Sequence, residues 1–113
     1  IVLKEKDGER KMPILIGVSE VFAIHRIIND EPPPRPLTHE LFGQVLDVLG
    51  VSVQRVVINE LSQGTYFGRL ILSRNGQTFD VDSRPSDAIV LATQKGAPIF
   101  VEETVLDEAA KQN

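Results

Sequence analysis

The sequence predicts a single α+β domain with a mainly antiparallel sheet and helices packed on that sheet. Asn75-Gly76 separates two strand-like segments, as in a type I′ hairpin turn. Other segments repeat apolar residues every three or four positions, which is typical of helices. The resulting order, ββ-α-α-βββ-α-β-α, differs from the regular alternation of parallel α/β folds. At 113 residues, the chain has the size of one domain, and we assign residues 1–113 to it.

The composition narrows the class of protein. No cysteine is present, which excludes disulfides and thiolate metal sites and favours a reducing cytoplasm. The net charge of −4 disfavours a general nucleic-acid binder, because phosphate neutralisation needs a basic surface. A local arginine cluster is compatible with that charge. No apolar run reaches the roughly 18 residues that span a bilayer, so we expect no membrane partner.

The first two strands are predicted to form a hairpin. Apolar residues at 1–4 and 12–16 flank Asp7-Gly8, a dipeptide that suits a type I′ turn. Pro13 lacks an N–H group, so its strand should lie at a sheet edge or begin after a bulge. The chain begins at Ile1 within a strand-like run, and we expect this strand to start before that residue.

Two helices should follow. The first is predicted over residues 19–28, with Ser19 as its N-cap and Glu20 in its first turn. His25 lies at the margin of the apolar face, where a packed, hydrogen-bonded histidine is expected. The second helix should begin at the N-cap Thr38 and end at Gly50.

The second helix is predicted to be half-buried. A hydrophobic staple between Leu37 and Phe42 would fix its start. Its buried face would comprise Leu41, Phe42, Val45, Leu46 and Leu49.

A proline-rich segment, residues 29–36, separates these helices and should be an extended, stiff loop. Pro34 and Pro36 would hold the backbone around Arg35, so that its guanidinium points in one direction. Alternatively, the segment is a plain connector or a ligand for a proline-binding partner.

Three antiparallel strands are predicted over residues 51–61, 66–73 and 77–82. Ser62-Gln63-Gly64 suits a three-residue loop, whereas Asn75-Gly76 suits a two-residue turn. The second turn places Leu72 opposite Phe79, Leu70 opposite Val81, and Arg69 opposite Asp82. The face away from the core would carry Arg55, Val57, Phe67, Arg69, Ile71, Asp80 and Asp82. Because this face is partly apolar, we expect a dimer partner or a docked helix to cover it.

The segment 80–103 should run strand, helix, strand. The run 88–92 has no polar face, so the helix should be buried on most sides, with Pro85 as its first residue. Lys95-Gly96-Ala97-Pro98 is a typical helix stop, and residues 99–101 should form a short buried strand. Thr104 and Asp107 resemble a capping box for a last helix that reaches about residue 111.

Polar residues gather in two places, residues 35–40 and 80–87. Oxygen ligands suit Mg²⁺ or Mn²⁺, which could polarise a phosphodiester while arginine stabilises developing charge. Each residue also has a structural interpretation. Asp82 could simply pair with Arg69 across the hairpin, and Asp80 should be a surface residue because it faces Ile71. The residues alone do not determine the chemistry.

Four segments, residues 13–20, 35–41, 82–89 and 97–103, together resemble the bifunctional nuclease domain family, in order and over essentially the whole chain. This family occurs in bacteria and plants. The resemblance implies an α+β domain that acts on RNA and DNA and can form dimers. The matching motif positions are Glu20, Arg35, Thr38, His39, Asp82, Arg84, Ser86 and Asp87.

The resemblance leads to a first hypothesis, a nuclease that hydrolyses phosphodiester bonds of DNA or RNA, with nucleic acid and a second copy of the chain as partners. His39 would be the acid or base, and the expected catalytic residues are His39, Asp82 and Asp87. Substrate would be bound by Arg35, Thr38, Arg84 and Ser86. Mg²⁺ or Mn²⁺ would be held by Glu20, Asp82 and Asp87, and no organic cofactor is expected.

Two other hypotheses remain open. In one, the same polar residues form a structural network in a non-catalytic dimeric module. In the other, the arginines at a helix start sense a small anion. Carboxylates that converge in an open cleft would favour a metal site, whereas saturated Arg–Asp pairs in a closed site would favour a structural role.

Overall fold

The computed structural model describes residues 1–111, and the predicted order of elements is confirmed. The elements are β1 (Val2–Lys4), β2 (Lys11–Pro13), α1 (Val18–Ile28), α2 (Thr38–Val48), β3 (Ser52–Ser62), β4 (Thr65–Arg74), β5 (Gln77–Ser83), α3 (Pro85–Lys95), β6 (Ile99–Val101) and α4 (Glu103–Lys111). Within this part of the chain, every helix is too short or too polar to cross a membrane.

The main sheet has four strands in the order β5-β4-β3-β6, and β1 and β2 form a separate two-stranded sheet. The pairs β5–β4 and β4–β3 are antiparallel, whereas β3–β6 is parallel. The sheet is therefore mixed, and the predicted α+β class is confirmed. The parallel pair arises because α3 carries the chain from β5 back across the sheet to the far side of β3.

The predicted register of the long hairpin is confirmed. Leu72 lies opposite Phe79, Leu70 opposite Val81, and Arg69 opposite Asp82.

Both tight turns of the main sheet contain two residues. Asn75 and Gly76 have φ angles of 51° and 79°, as a type I′ turn requires. Gln63 and Gly64 have nearly the same angles, 51° and 78°, and Ser62 already pairs with Thr65. The predicted three-residue loop is therefore wrong, because Ser62 belongs to the strand ladder.

The N-terminal hairpin forms, but not through the predicted type I′ turn. β1 pairs with β2 from Val2–Pro13 to Lys4–Lys11, and six residues connect the two strands. Gly8 has no positive φ angle, which a type I′ turn would require. Arg10 closes the loop instead, through ion pairs with Glu5 and with Glu103 at the start of α4.

Three predicted N-caps are wrong. Gly17 and Leu37 occupy the cap positions of α1 and α2 in extended backbone, without a side-chain cap bond. Ser19, Thr38 and Thr104 therefore lie inside the first turns of their helices. The capping pattern locates a helix start to within a turn, but the backbone torsions decide the residue.

The predicted helix ends are confirmed at two glycines. Gly50 follows α2 and Gly96 follows α3, and both have left-handed backbones, with φ angles of 69° and 67°.

The core lies between the main sheet, α3 and α4. α3 is buried from Pro85 to Ala92 apart from Asp87, which confirms the prediction of a helix without a solvent face. One group of buried residues surrounds Ile58, and it includes Met12, Ile89 and Val105. A second group comprises Val56, Leu70, Ala88, Leu91 and Ala92. Because α3 is buried on most sides, it holds the residues at its N-terminus, Arg84 and Asp87, in a defined position.

The prediction that the apolar face of α2 is buried is largely wrong. Only Leu46 is buried, whereas Leu41, Phe42, Val45 and Leu49 are about half exposed. α2 packs on α3 through the Gly43–Leu46 side, and no described element covers the other side.

Three further burial predictions are also wrong. The staple fails because Leu37 and Phe42 are both exposed, Leu37 being the cap itself. His25 is exposed on α1 rather than packed. β6 is only partly buried, since Phe100 points outward.

The sheet face away from the core is partly shielded by charged side chains. Ile71 is buried there, and Arg69 reaches both Asp80 (Nε to Oδ1, 2.7 Å) and Asp82 (Nη1 to Oδ1, 3.4 Å). Asp80 is exposed, as predicted, but it pairs with this arginine although it faces Ile71 in register. Whether a partner covers this face stays a prediction.

Candidate functional site

Four side chains from three helices meet at the start of α3, and we call them the polar cluster: Glu20, His39, Arg84 and Asp87. Arg84 is the N-cap residue of α3, and Asp87 lies in its first turn. Residues three apart share one side of a helix start, so these two side chains can meet. α1 contributes Glu20 and α2 contributes His39. The cluster therefore depends on the packing of both helices against α3.

Arg84 connects the cluster. Its Nε lies 2.9 Å from Asp87 Oδ2 and its Nη2 lies 3.1 Å from Asp87 Oδ1, which is a bidentate pair. Nη2 also donates to Glu20 Oε1 at 3.0 Å. The Glu20 side chain is only 8% exposed, whereas that of Arg84 is 69% exposed. The arginine thus neutralises a buried carboxylate while one face of its guanidinium reaches solvent.

His39 completes the cluster through Asp87. Its Nε2 lies 2.9 Å from Asp87 Oδ1. An ionised carboxylate can only accept hydrogen bonds, so Nε2 must carry the proton. In the neutral imidazole, Nδ1 is then the unprotonated nitrogen. It has no hydrogen-bond partner within residues 1–111 and is not fully buried, so it can accept a proton.

The electrostatics of Asp87 favour its ionised form. Burial raises the pKa of its carboxyl, but the hydrogen bonds from Arg84 and His39, together with their charges, lower the pKa more. Its net pKa is therefore below the ordinary value. In turn, the hydrogen bond and charge of Asp87 raise the pKa of Arg84. At neutral pH, Asp87 is a carboxylate that holds and orients the imidazole.

This pairing makes an acid-sensitive contribution to stability. Because the folded-state pKa of Asp87 lies below 3.8, its ionised form stabilises the fold above that pH, and this stabilisation is lost as pH falls through the lowered pKa. We expect Asp87→Asn to be less stable than wild type near pH 7, with a difference that shrinks below about pH 4. Urea denaturation near pH 7 and below about pH 4 measures this difference in the free energy of unfolding. A difference that widens in acid would contradict this assignment.

The last turn of α3 positions α2, and with it His39. Gln94 Nε2 donates to the His39 carbonyl oxygen at 3.0 Å, and Lys95 Nζ donates to the Gly43 carbonyl oxygen at 3.1 Å. A Cβ atom at Gly43 would lie 1.6 Å from Gln94 Oε1, so only glycine allows this approach without displacing the Gln94 amide. Lys95 also pairs with Asp47 at 2.7 Å.

A second ion pair joins α1 to α2. Arg26 of α1 lies 3.0 Å from Glu40 Oε1 of α2. The second oxygen of this carboxylate, Glu40 Oε2, is buried without a hydrogen-bond partner among residues 1–111. The pair joins α1 to α2 at the edge of the site.

The polar cluster opens into a cleft of about 950 Å³ between α1, α2 and the β4–β5 side of the sheet. Its charged or polar boundary is formed by the cluster together with Ser19, Arg26, Thr38, Asp82 and Ser83. Its apolar boundary is formed by Phe22, Leu37, Phe42, Leu70, Val81 and Leu91. The site is therefore accessible to a ligand of substantial size.

The other predicted site residues lie apart from the cluster. The side chain of Asp82 is 77% exposed and contacts Arg69 rather than Arg84, although Asp82 borders the cleft. Arg35 is exposed and makes no hydrogen bond or ion pair within residues 1–111. Thr38 borders the cleft, whereas Ser86 is buried in the first turn of α3. Strand alternation directs Asp82 to the face opposite Leu70 and Val81.

The predicted metal ligands do not converge. Among the described residues, no three His, Asp or Glu side chains form a group that could hold a metal ion. Both oxygens of Asp87 accept bonds from Arg84, Glu20 accepts another, and Asp82 lies with Arg69. In this arrangement the carboxylates are occupied by cationic side chains and do not form a ligand set for Mg²⁺ or Mn²⁺.

Several residues that shape this site were missed by sequence reasoning. They are Phe22, Arg26, Phe42 and Gln94. The helical periodicity suggested that Phe42 was a core residue. No local pattern indicates the Arg26–Glu40 pair, because the two residues lie on different helices. The glycine at position 43, inside a predicted helix, was the one available sign of a close helix contact.

Comparisons with known proteins agree with the resemblance. A family model described as the bifunctional nuclease domain matches residues 1–113. The chain is 43% identical over 109 residues to an uncharacterized protein of Mycobacterium tuberculosis, covering 96% of this chain and 65% of that protein.

Plant proteins are also similar. Identity to Bifunctional nuclease 1 of Oryza sativa subsp. japonica is 29% over 109 residues, covering 93% of this chain and 33% of that protein. For Bifunctional nuclease 2 of Arabidopsis thaliana, identity is 30% over 105 residues, with coverage of 89% and 32%. The chain thus spans less than two thirds of the mycobacterial relative and about a third of the plant proteins. With a family model that matches it from end to end, this chain belongs to the bifunctional nuclease domain family.

Proposed function

We propose that this domain hydrolyses phosphodiester bonds of DNA or RNA at the polar cluster. The observation that carries the proposal is the His39–Asp87 pair, 2.9 Å apart at the border of an open cleft. A histidine oriented by a carboxylate is a common general base. The plant relatives are named bifunctional nucleases, which supports the same reaction class.

In the proposed reaction, His39 Nδ1 removes a proton from the attacking hydroxyl group. That group is water; in RNA the ribose 2′-hydroxyl can attack instead, which is a transesterification that leaves a 2′,3′-cyclic phosphate for water to open in a second step. The oxygen attacks phosphorus, and the bond to the leaving oxygen breaks. The imidazolium that forms is stabilised by Asp87, which already accepts the Nε2 proton. A proton from solvent or from the imidazolium neutralises the leaving oxygen.

Arg84 would hold the phosphate. Its Nε and Nη2 bond to Asp87 and Glu20, but Nη1 makes no hydrogen bond to the described residues, and the side chain is mostly exposed. Nη1 can therefore donate to a nonbridging phosphate oxygen. Its charge would stabilise the additional negative charge that develops on phosphorus oxygens in the transition state.

Dependence on Mg²⁺ or Mn²⁺ stays a proposal without a ligand set to support it. A divalent cation would polarise the phosphate if it were bound. The carboxylates of the cluster are paired with Arg84, so no step of the proposed reaction uses a metal ion. The assay therefore tests each cation and a chelator separately.

The experiment is hydrolysis of single-stranded DNA and RNA by the purified protein, with Mg²⁺, with Mn²⁺ and with EDTA. Asp87→Ala is compared with Asp107→Ala, which removes an exposed carboxylate of α4 outside the cleft. We expect Asp87→Ala to lose at least about 10²-fold in rate, because His39 loses its orienting partner. Asp107→Ala should match wild type. Equal activity in all three proteins would contradict the proposal and indicate a contaminating nuclease.

A second candidate is a non-catalytic dimeric module. It is supported by the Arg84 network, since the guanidinium pairs with both Glu20 and Asp87 and links α1 to α3. Under this alternative, Asp87→Ala lowers stability and pure wild-type protein has no hydrolytic activity. A small-anion sensor has no separate observation in its favour, because the contact that Arg84 Nη1 could make to an anion is the same one proposed for the phosphate.

We also propose that the chain forms a homodimer. The exposed apolar residues Leu41, Val45 and Val48 of α2 support this, because monomers rarely expose large apolar patches. This surface lies on α2 rather than on the sheet face considered from the sequence. Sedimentation equilibrium tests it, and a monomer at micromolar concentration would contradict it. For location we propose the cytoplasm, supported by the absence of cysteine.

A further inference from the structure

Two phenylalanines that the proposed chemistry does not use border the cleft, and we call their two rings the aromatic wall. Phe22 of α1 is 58% exposed and Phe42 of α2 is 45% exposed, and both border the same cleft as the polar cluster. Exposing an aromatic ring to water forfeits the free energy that burial in a core would provide. Both rings stand at a concave surface rather than on a flat one.

The position of each ring follows from its helix. α1 turns Glu20 and Ala23 toward the protein interior, which leaves Phe22 on the side of the cleft with Arg26. α2 turns Gly43 and Leu46 inward, and Phe42 lies at the edge of that buried side. The ion pair between Arg26 and Glu40 joins the two helices that carry the rings.

The charge of the cleft does not attract a polyanion. Arg84 is paired with Glu20 and Asp87, Arg26 is paired with Glu40, and the whole chain has a net charge of −4, so the cleft has no excess of positive charge. A nucleic acid therefore gains little affinity here from phosphate neutralisation. Affinity must come from contacts that do not depend on net charge. Stacking of bases on aromatic rings is such a contact.

We propose that Phe22 and Phe42 form a stacking subsite for an unpaired nucleobase, next to the phosphate that Arg84 holds. The inference rests on the proposed function and deepens it. A nucleotide has an anionic end and a flat apolar end, and the cleft has the same division between the polar cluster and the aromatic wall. Bases inside a duplex are stacked on one another and cannot lie on this wall, so the substrate class is single-stranded nucleic acid.

The test measures binding without catalysis, in EDTA, at one fixed salt concentration. A fluorescently labelled oligothymidylate is compared with an abasic oligomer that has the same length and backbone charge. We expect wild type to bind the oligothymidylate on the order of tenfold more tightly. Phe22→Ala and Phe42→Ala should each lose most of this preference. The matched control is Phe100→Ala, which removes a similarly exposed ring from β6 outside the cleft and should keep it.

A direct signal is available because the chain contains no tryptophan. Phe22→Trp introduces a single indole at the proposed subsite. Stacking should quench its fluorescence when oligothymidylate is added, and the abasic oligomer should leave it unchanged.

Two outcomes separate this inference from the reaction itself. Equal wild-type affinity for the two oligomers would overturn the stacking subsite, even if hydrolysis is observed. A base-dependent affinity that both alanine variants lose would support the subsite, even if the pure protein hydrolyses nothing and the proposed reaction fails. Circular dichroism of each variant confirms that exposed-ring substitutions leave the fold intact.

Discussion

Replacing His39 with glutamine is expected to lower kcat for phosphodiester hydrolysis by about 10²- to 10⁴-fold. The glutamine amide can still donate a hydrogen bond to Asp87, so the carboxylate keeps a partner and Arg84 keeps its own. The amide cannot accept a proton at neutral pH. The variant therefore removes the base while preserving the network, and its unfolding free energy should stay within about 1 kcal/mol of wild type.

The matched control is His25→Gln. His25 is the only other histidine in the sequence, and it is exposed on α1 and does not border the cleft. We expect its kcat to equal that of wild type. A rate assay and a urea denaturation curve on the same preparations separate catalysis from folding. If both glutamine variants retain the wild-type rate, His39 is not the base and the network is structural.

The largest expected loss of stability comes from Ile58→Ala. Ile58 is fully buried on β3 and packs with Ile89 of α3 and Val105 of α4. Removing three carbons from a closed core leaves a cavity as well as losing transfer free energy, and we expect about 2–5 kcal/mol. For a domain of this size, such a loss is a large fraction of the total stability.

Ile28→Ala is the matched control, because it makes the same substitution at a residue that is 70% exposed. Its unfolding free energy should change by less than about 0.5 kcal/mol. Both values come from urea denaturation monitored by circular dichroism. Similar losses at the two positions would mean that the outer side of α1 is covered in solution.

Local chemistry in the sequence predicted most of the secondary structure. The Asn75-Gly76 dipeptide determines a register that continues correctly across β4 and β5, because a two-residue turn leaves one way to pair the strands. The apolar run 88–92 predicted a buried helix for an equally direct reason. The wrong predictions concern the N-caps and the turns at Gly8 and Gly64, where backbone torsions outweigh residue preferences.

Burial was less predictable than the secondary structure. The apolar periodicity of α2 correctly indicated a helix with an apolar face. It could not indicate whether the domain supplies a partner for that face, and the structure leaves Leu41, Val45 and Leu49 half exposed. Apolar periodicity shows which side of a helix is hydrophobic. Whether that side is buried depends on whether another helix or sheet packs against it.

The sequence by itself determined the family, the α+β class and the position of the Arg84–Asp87 pair at the start of a rigid helix. These features depend on residues that are close together in the sequence. Only the tertiary structure decided that His39, 48 residues from Asp87, completes the pair, that Glu20 lies buried beneath Arg84, and that Asp82 turns to the other face of the sheet. Helix packing and strand alternation determine those distances, and both arise from contacts between residues that are far apart in the chain.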